Sequence, residues 1–420
     1  MKRPIFVLAS LMIIATMVLS ACGAAATTAA PAPATAAPAT QAPATQAPVL
    51  VPTATAVPTV AQTEVTFWHA YGTGSAEEQA LTAVLAKAAV DLPQYKINVL
   101  QVPFNDIFNK YSTDVAAGGG PDMFVAPNDN LGSESRANLI ADITDLVKGK
   151  LGDYAPLSVE GMSVGGKVYG VPESLKAVEF WYDKSKLATP PATTDDLLKL
   201  MQGGTPIGIS YSCYHVWGFY SAFGGQVFDK NFKFTTGDGT GMVDAMTYLN
   251  TLYQIGKKNS WPLTDSDGLA PFQEGKIVGI TNGNWAMGDY QKALGDKLAV
   301  APLPAGPKGA SMPLLGVDGY YINPNSQNKQ GAIDVALYLT SKVAEQIMMD
   351  QAGHVPAINT VTVTNPLIKS LMDAFKTSIV SPQDAQLDKY WGNFCGMDQV
   401  FEKGVKPDAW IKTATAGATK

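Results

Sequence analysis

Aromatic, amide and acidic side chains follow several predicted strands, and this mixture could bind a polyhydroxylated ligand. The set comprises Trp68, His69, Tyr71, Asn128, Asp129, Asn130, Tyr214, Trp217, Asn282, Asn284, Trp285 and, within a helix-like stretch, Trp391. Flat apolar faces of sugar rings stack on aromatic rings, and hydroxyl groups pair with amides and carboxylates. A core or rim role for each tryptophan is the competing interpretation, and for several of them together the two interpretations are evenly matched.

The elements that must position these residues alternate between strand and helix. Strands are predicted over 64–69, 97–102 and 121–125, with helices over 75–92, where Ser75 is the N-cap, and 104–117. This alternation predicts an α/β fold with a parallel, helix-flanked sheet, in which ligands bind at the carboxyl ends of the strands. Later strands are predicted over 178–182, 206–210, 277–281, 298–301 and 319–322, and later helices over 242–258, 331–341, 343–352 and 382–403.

Residues 1–22 have the features of a secretory signal. Lys2 and Arg3 precede an apolar stretch from Ile5 to Leu19, which ends in Leu-Ser-Ala-Cys22. The stretch is short for a membrane span and no basic residue follows it, which favours cleavage over a transmembrane anchor. The ending resembles a bacterial lipobox, which implies cleavage before Cys22 and a lipid on its sulfur that would hold the protein at a membrane surface.

Residues 23–63 are predicted to form a tether rather than a folded unit. Ala, Pro, Thr, Val and Gln dominate this segment, and Ala-Pro-Ala-Thr recurs at Ala32, Ala37 and Ala42. Frequent prolines block helix and sheet formation, and the segment has too little large apolar surface to fold. An extended chain of this kind would reach on the order of 100 Å from the anchor.

The charge balance excludes some partners. The formal net charge of the 420 residues is −6, and loss of Lys2 and Arg3 with the leader makes it −8. Nucleic-acid binding is not expected, because it requires a basic surface. Arg136 is the only arginine after the leader, which disfavours an anionic ligand and leaves a neutral one favoured. No cofactor is expected, and with three cysteines and three histidines no metal site is expected either.

Motifs of common enzymes are absent from the sequence. It has neither an HExxH zinc motif nor a GxSxG nucleophile motif. Gly161–Val168 nearly matches a phosphate-binding loop, but Val168 replaces the required hydroxyl residue, so Gly165-Gly166 is interpreted as a hairpin turn. The protein is therefore expected not to be an enzyme. A glycosidase stays open as an alternative, since sequence spacing cannot test whether two carboxylates meet in space.

Two cysteines remain once Cys22 carries a lipid. In an oxidising compartment Cys213 and Cys395 can form a disulfide. Two separate buried thiols are the alternative, and both interpretations stay open.

Short motifs across most of the folded part resemble the family 1 extracellular solute-binding proteins of ATP-driven (ABC) importers, which include maltose- and maltodextrin-binding proteins. The matching stretches are Val65–Trp68, Gly119–Phe124, Gly166–Pro172, Phe180–Asp183, Phe272–Lys276, Thr281–Trp285 and Gly316–Gly319. The resemblance implies a type II-like periplasmic-binding-protein fold, in which two lobes, each a mostly parallel sheet flanked by helices, are joined by hinge crossovers. It places lobe 1 at residues 64–175 and 317–355 and lobe 2 at residues 176–316 and 356–412.

The resemblance also implies roles for individual residues. Tyr214, Trp285 and Trp391 would be aromatic sugar platforms, Asp129 would contact sugar hydroxyls, and Trp68 and Asp318 would join them. Three positions depart from the maltodextrin binders: Ala126 replaces an aromatic residue, Asn130 a basic residue and Lys176 a glutamate. A sugar other than maltodextrin is therefore left open.

The expected function is capture of a mono- or oligosaccharide for an ABC importer by a lipid-anchored, monomeric protein outside the cytoplasm. Its expected partners are the carbohydrate, the ABC permease subunits in the membrane and the lipid on Cys22. A charged solute, such as a polyamine or amino acid, is the alternative ligand, since the acidic balance allows a cation. A surface glycosidase and an adhesive lectin are further alternatives.

Overall fold

The computed structural model describes residues 62–237 and 239–420. The predicted leader, Cys22 and tether residues 23–61 lie outside the described residues. Within the described residues, no helix is long and apolar enough to span a membrane.

Thirteen strands are present in the described residues. They are β1 (Thr63–His69), β2 (Tyr95–Gln101), β3 (Met123–Pro127), β4 (Ser163–Val164), β5 (Lys167–Val168), β6 (Gly170–Lys176), β7 (Val178–Asp183), β8 (Ile207–Ile209), β9 (Gly279–Gly283), β10 (Leu298–Ala301), β11 (Leu314–Ile322), β12 (Val355–Pro356) and β13 (Ile379–Val380).

Fifteen α-helices accompany these strands in the same part of the chain. They are α1 (Ala76–Asp91), α2 (Phe104–Ala116), α3 (Leu131–Arg136), α4 (Pro156–Gly161), α5 (Thr194–Gln202), α6 (Trp217–Ala222), α7 (Gly241–Lys258), α8 (Asp265–Gln273), α9 (Met287–Leu294), α10 (Lys329–Leu339), α11 (Lys342–Ala352), α12 (Pro366–Ala374), α13 (Ala385–Phe394), α14 (Asp398–Phe401) and α15 (Pro407–Ala418).

The strands form two principal sheets, one for each lobe. The larger has the order β12-β6-β11-β3-β1-β2, with β13 beside β11, and the smaller has the order β10-β7-β9-β8. We call the parts built on them the seven-stranded lobe and the four-stranded lobe. The two-lobe α/β class predicted from the sequence is thereby confirmed.

The sheets are mixed rather than mostly parallel, which corrects one detail of the prediction. β1 pairs in parallel with β2 and β3, and β8 pairs in parallel with β9. However, β11 runs antiparallel to β3 and β6, and β7 runs antiparallel to β9 and β10. The returning chain enters the seven-stranded sheet as β11 from the other lobe rather than through a helical crossover, so its direction is reversed.

The first helix shows why these boundaries could be predicted. The Ser75 side chain accepts a hydrogen bond from the Glu78 N–H, which satisfies a free donor of the first turn of α1. Ala80, Leu81, Val84 and Ala88 are buried on one face of α1. The helical spacing of these residues is the pattern that the sequence displays.

A single residue separates the two sheets where the chain first crosses between lobes. β6 ends at Lys176 and β7 begins at Val178, so Ala177 is the only residue between them. The Asn284 side chain braces this crossover, because its amide donates to the Leu175 carbonyl at 3.1 Å and its oxygen accepts from the Ala177 N–H at 3.2 Å. The hinge and the adjoining strand ends are therefore held in a defined geometry.

The segment before the last helix differs from its predicted form. One helix was expected over 382–403, but the structure has α13, a break at Cys395–Met397 and the short helix α14. The break coincides with Gly396, and glycine disfavours the interior of a helix. The predicted hairpin at Gly165-Gly166 is confirmed: both glycines have positive φ angles between antiparallel β4 and β5.

Candidate functional site

The seven-stranded lobe contributes an ion pair to the junction between the lobes, where Lys176 meets Asp318 and Trp285 and which we call the cleft. Lys176, at the end of β6, has its Nζ 2.8 Å from Asp318 Oδ1 on the neighbouring strand β11, and only about a tenth of each side chain is exposed. Burial alone would lower the pKa of Lys176, but the Asp318 and Asp129 carboxylates outweigh it and raise that pKa above its ordinary value. Lys176 is therefore an ammonium with one strong partner and unused donor capacity.

A second carboxylate lies on the turn that follows β3. Asp129 belongs to a 3-10 turn at Asn128–Asn130, and its Oδ1 is buried without a hydrogen-bond partner in the described residues. Burial raises the pKa of Asp129, and the nearby Lys176 ammonium partly opposes that rise. A buried acceptor without a partner is costly unless a ligand supplies a donor.

The residues after β1 add two more polar groups with no partner in the described residues. They are the Tyr71 hydroxyl and His69 Nδ1, and the rings of these two residues lie 5.7 Å apart. Burial lowers the pKa of His69, so its imidazole is neutral at pH 7. The structure thus places His69, Tyr71, Asp129 and Asp318 on one lobe, with unused hydrogen-bonding capacity.

The four-stranded lobe contributes aromatic rings. The ring centroids of Tyr214 and Trp285 lie 6.1 Å apart, and Lys176 Nζ lies 5.5 Å from the centroid of Trp285. The Lys176 contact joins the aromatic side of the cleft to the ionic side. Tyr214 and Trp285 are half-buried, so part of each ring is available for stacking.

His215 packs against the Trp285 ring of this aromatic pair. Its ring lies edge-on to Trp285 at 5.6 Å, its Nδ1 is 2.7 Å from Ser212 Oγ, and its Nε2 is 3.4 Å from Asn282 Oδ1. Burial lowers its pKa. His215 therefore positions Trp285 and is already engaged at both ring nitrogens.

Trp391 connects the two lobes. It lies on α13, is half-buried, and donates from Nε1 to the Asp129 carbonyl at 3.3 Å. The structure therefore brings Trp391 to the turn that carries Asp129, where the sequence predicted both to act.

Two of the predicted tryptophans serve the core. Trp68 packs with Val102 and Ile107, and Lys110 Nζ covers its ring at 4.5 Å. Trp217 is buried against Tyr390 at 4.6 Å, beneath Trp391. Neither ring presents an open face, so Trp68 and Trp217 support the site from within the lobes.

Three amides expected at the ligand instead form hydrogen bonds within the protein. Asn128 donates to the Gly161 carbonyl at 2.9 Å and accepts from the Val317 N–H at 3.1 Å. Asn282 donates to the Tyr290 hydroxyl at 2.8 Å and accepts from the Gly283 N–H, and Asn284 braces the crossover. Both ends of each amide are used, which corrects the expectation that amides provide the polar contacts.

In the sequence, Lys176 stands out only as a departure from the maltodextrin binders, and its place among the site residues was not predicted. The available signal was a lysine at the end of an otherwise buried strand, directly before the hinge. Its partner, Asp318, is on a strand far along the chain, and sequence spacing gives no indication that the two meet.

A buried acidic cluster lies behind the cleft. His354 Nδ1 is 2.7 Å from Glu173 Oε1, and His354 Nε2 is 2.9 Å from Glu77 Oε1. Burial would lower the pKa of His354, but the two carboxylates raise it well above its ordinary value, so it is an imidazolium. This cluster ties α1 to β6 and to the residue directly before β12, close to the hinge.

Cys213 and Cys395 form a disulfide in the structure. This geometry resolves the two alternatives left open by the sequence in favour of the bonded pair. The described residues contain no group of three or more His, Cys, Asp and Glu side chains arranged to bind a metal ion.

Comparison with known proteins points to one family. The profile described as "Bacterial extracellular solute-binding protein" matches residues 80–375. A maltotriose-binding protein of Pyrococcus abyssi is 25% identical over 369 residues, covering 81% of this chain and 78% of the relative. A galactooligosaccharide-binding protein of Bacillus subtilis is 22% identical over 320 residues, covering 70% of this chain and 75% of the relative.

Solved structures agree on the fold. The maltose/maltodextrin-binding domain from Bdellovibrio bacteriovorus bound to maltotriose superposes with a TM-score of 0.78 at 19% identity, covering 85% of this chain and 99% of the other. The Thermus thermophilus maltotriose-binding protein superposes with a TM-score of 0.75 at 23% identity, covering 84% of this chain and 98% of the other.

Proposed function

The chain belongs to the bacterial extracellular solute-binding protein family, and from that premise we propose that it captures a carbohydrate between its lobes and delivers it to an ABC importer. The observation that carries the proposal is the division of the cleft into an aromatic side and a polar side. Tyr214, Trp285 and Trp391 would stack on sugar faces, while Asp129, Lys176 and Asp318 would pair with hydroxyls. The relatives named as maltotriose and galactooligosaccharide binders support this ligand class.

Binding would act through closure of the lobes. We propose lobe boundaries close to the predicted 64–175 with 317–355 and 176–316 with 356–412, with two shifts: Lys176 joins the seven-stranded lobe because β6 ends there, and residues 314–316 join it because β11 begins at Leu314. A ligand that contacts both sides of the cleft stabilises the closed form by its differential contacts, and the closed form would dock on the permease. The protein would act as a monomer outside the cytoplasm, held at the membrane by a lipid on Cys22.

Calorimetry tests the ligand class. The chain from residue 23 onward is titrated with glucose, maltose, maltotriose and a galactose-based trisaccharide, with putrescine and an amino acid as charged comparisons. Micromolar binding of at least one sugar is expected, which corresponds to about −8 kcal/mol. Heat from a charged solute alone would contradict the carbohydrate proposal.

A cationic solute is the second candidate, because the carboxylates of the cleft favour it. The unpartnered Asp129 Oδ1 and the neighbouring Asp318 could hold an ammonium group, and the amides that would favour a neutral sugar are engaged elsewhere. The Lys176 ammonium opposes a second cation, however, because it pairs with Asp318 and its charge also acts on Asp129. We therefore rank the sugar first.

The absence of catalysis is part of the proposal, and the named relatives are binding proteins. Asp129 and Asp318 share the cleft with Lys176, which holds Asp318 as an ion-pair partner rather than leaving it free to transfer a proton. Release of nitrophenol from chromogenic α- and β-glycosides would contradict this part.

A further inference from the structure

We propose that the Cys213–Cys395 disulfide positions the aromatic side of the cleft, so that its reduction weakens ligand binding. The inference rests on the proposed function, since it concerns the rings assigned there to the ligand. It assigns Cys213 and Cys395 a positioning role, distinct from that of the rings which touch the ligand.

The disulfide joins two segments that carry cleft aromatics. The two cysteines are 182 positions apart in the sequence, and their Cα atoms lie 4.9 Å apart. Cys213 directly precedes Tyr214, and Cys395 follows α13 one helical turn after Trp391. The bond therefore fixes the distance between the backbone next to Tyr214 and the end of α13 that carries Trp391.

Non-covalent contacts also join the two segments that the disulfide connects. The Tyr390 hydroxyl donates to the Cys213 carbonyl at 3.0 Å, and Tyr390 packs edge-on against Trp391 at 4.9 Å. One neutral hydrogen bond and ring contacts hold the two segments together less firmly than a covalent bond does. After reduction, α13 would keep its place in the core, but its cleft-facing end would gain freedom.

The position of Trp391 matters because it has two roles in the cleft. Its ring is half-buried on the aromatic side, and its Nε1 reaches the Asp129 carbonyl on the opposite lobe. A preorganised ring costs less conformational entropy on binding than a ring that must first be ordered. Loss of this preorganisation should therefore raise the dissociation constant of the ligand.

The bond is open to reductants. Cys395 is exposed, whereas Cys213 is largely buried. A dithiol reductant attacks one sulfur through its thiolate, the sulfur–sulfur bond breaks, and the pair gains two electrons and two protons while the dithiol closes to its own disulfide. Both cysteines then stand as free thiols.

The experiment uses the full chain carrying Cys22→Ser, so that Cys213 and Cys395 are its only cysteines. Maltotriose and the other sugars of the calorimetric panel are titrated into oxidised protein, dithiothreitol-reduced protein and the Cys213→Ser/Cys395→Ser variant. We expect the dissociation constant to rise about tenfold in both forms that lack the bond. A lower melting temperature with an unchanged dissociation constant would overturn the proposal, because a merely stabilising disulfide has that signature.

A control separates positioning from general loosening. In the Trp391→Ala variant the ring to be positioned is missing, so reduction should change the dissociation constant by a smaller factor than in the parent chain. An equal factor in both would overturn the proposal.

A second readout does not depend on any sugar. Tryptophans are labelled with 5-fluorotryptophan, and the Trp391 signal is assigned from Trp391→Phe. Reduction should shift or broaden the Trp391 resonance and leave that of Trp261 unchanged, since Trp261 lies in a different pocket. An unaltered Trp391 signal would overturn the inference, whereas failure of every sugar to bind would overturn only the proposed function.

Discussion

The Arg136 guanidinium on the seven-stranded lobe donates to the Asp388 carboxylate on the four-stranded lobe, with Nη2 and Oδ2 2.5 Å apart. Its Nη1 also donates to the Gln383 carbonyl at 3.1 Å. Arg136 is on α3 and Asp388 is on α13, one turn before Trp391. The single arginine that follows the leader thus forms an ion pair between the lobes and is not part of the ligand site.

Replacement of Arg136 should weaken ligand binding by speeding dissociation. Both partners are about one-third exposed, and exposed ion pairs contribute about 0.2–1 kcal/mol, so Arg136→Gln should raise the dissociation constant by a factor of about 1.4 to 5. Stopped-flow fluorescence should locate the change in the dissociation rate. The charge-swapped pair Arg136→Asp/Asp388→Arg should recover part of the affinity, and failure of both variants to change dissociation would contradict a role in closure.

Gly132 should be required for closure because two backbones meet there. A Cβ at Gly132 would lie 2.4 Å from the Gln383 carbonyl oxygen, and the Gly132 N–H already donates to the Gln383 side chain at 3.2 Å. Gly132→Ala should therefore reduce affinity by about tenfold or more, and ligand-induced compaction should be smaller in small-angle scattering.

Gly152→Ala is the matched control for Gly132→Ala. A Cβ at Gly152 meets no atom within 4 Å, and the residue lies outside the contact between lobes. Parent-like affinity and compaction are expected for it. Equal losses in both variants would indicate a general effect of alanine and contradict the steric argument.

Removal of the Trp285 ring should abolish most sugar affinity. Trp285 stands between Tyr214, His215 and the Lys176 ammonium. A central aromatic anchor of this kind contributes about 2 kcal/mol or more, so Trp285→Ala should raise the dissociation constant about thirtyfold. Trp261→Ala removes another half-buried tryptophan, away from the cleft, and should leave the constant near its parent value.

Neutralisation of Lys176 should change which ligands bind. In Lys176→Met, Asp318 and Asp129 lose their cation, so sugar affinity should fall and affinity for putrescine should rise. Breaking a largely buried ion pair also costs about 3 kcal/mol in the free energy of unfolding. Calorimetry measures the preference and urea denaturation the stability; stronger sugar binding without any gain for putrescine would contradict the assignment.

The His354 cluster should make stability depend on pH with a definite sign. The folded-state pKa of His354 lies well above its ordinary value of 6.5, so its contribution is fully present below about pH 6.5 and is lost as pH rises through the folded pKa. Glu345 and Glu77, which face the same cluster, also have raised pKa values and act in the same direction. Urea denaturation from pH 6 to 9 should show stability falling with pH.

His354→Gln should flatten this dependence. His215→Gln is the comparison of opposite sign, because burial lowers the pKa of His215 and its contribution is lost as pH falls below 6.5. A parent-like pH profile in His354→Gln would contradict the role assigned to the cluster.

The elements of the fold were largely predictable because local signals determine them. Ser75 is an N-cap by residue type, and the buried face of α1 follows helical spacing. The direction of β11 was not predictable, because it depends on where a distant segment re-enters the sheet. The break after α13 falls at Gly396, and a single glycine is a weak signal inside an otherwise helical pattern.

Part of the candidate site could also be predicted, because the position of a residue at the end of a strand is a local feature of the sequence. Tyr214, Trp285 and Asp129 each follow the end of a predicted strand. Because ligands bind at strand ends in α/β sheets, their proximity could be expected. Trp68 could not be assigned to the core, since a shift of one position along the strand exchanges the faces of the sheet. Asn128 and Asn284 bind backbone groups of segments that the sequence does not place beside them.

The order of strands in the larger sheet affects when that sheet can form during synthesis. β11 lies between β6 and β3, yet it is synthesised after the whole four-stranded sheet. Until residue 322 has emerged, β3 and β6 have no strand between them, and the edges they present are unpaired. Contacts of this sequence separation form late and slowly. Pairing of β3 and β6 through β11 must therefore follow synthesis of the four-stranded sheet, which makes this pairing the expected slow step in folding of the larger sheet.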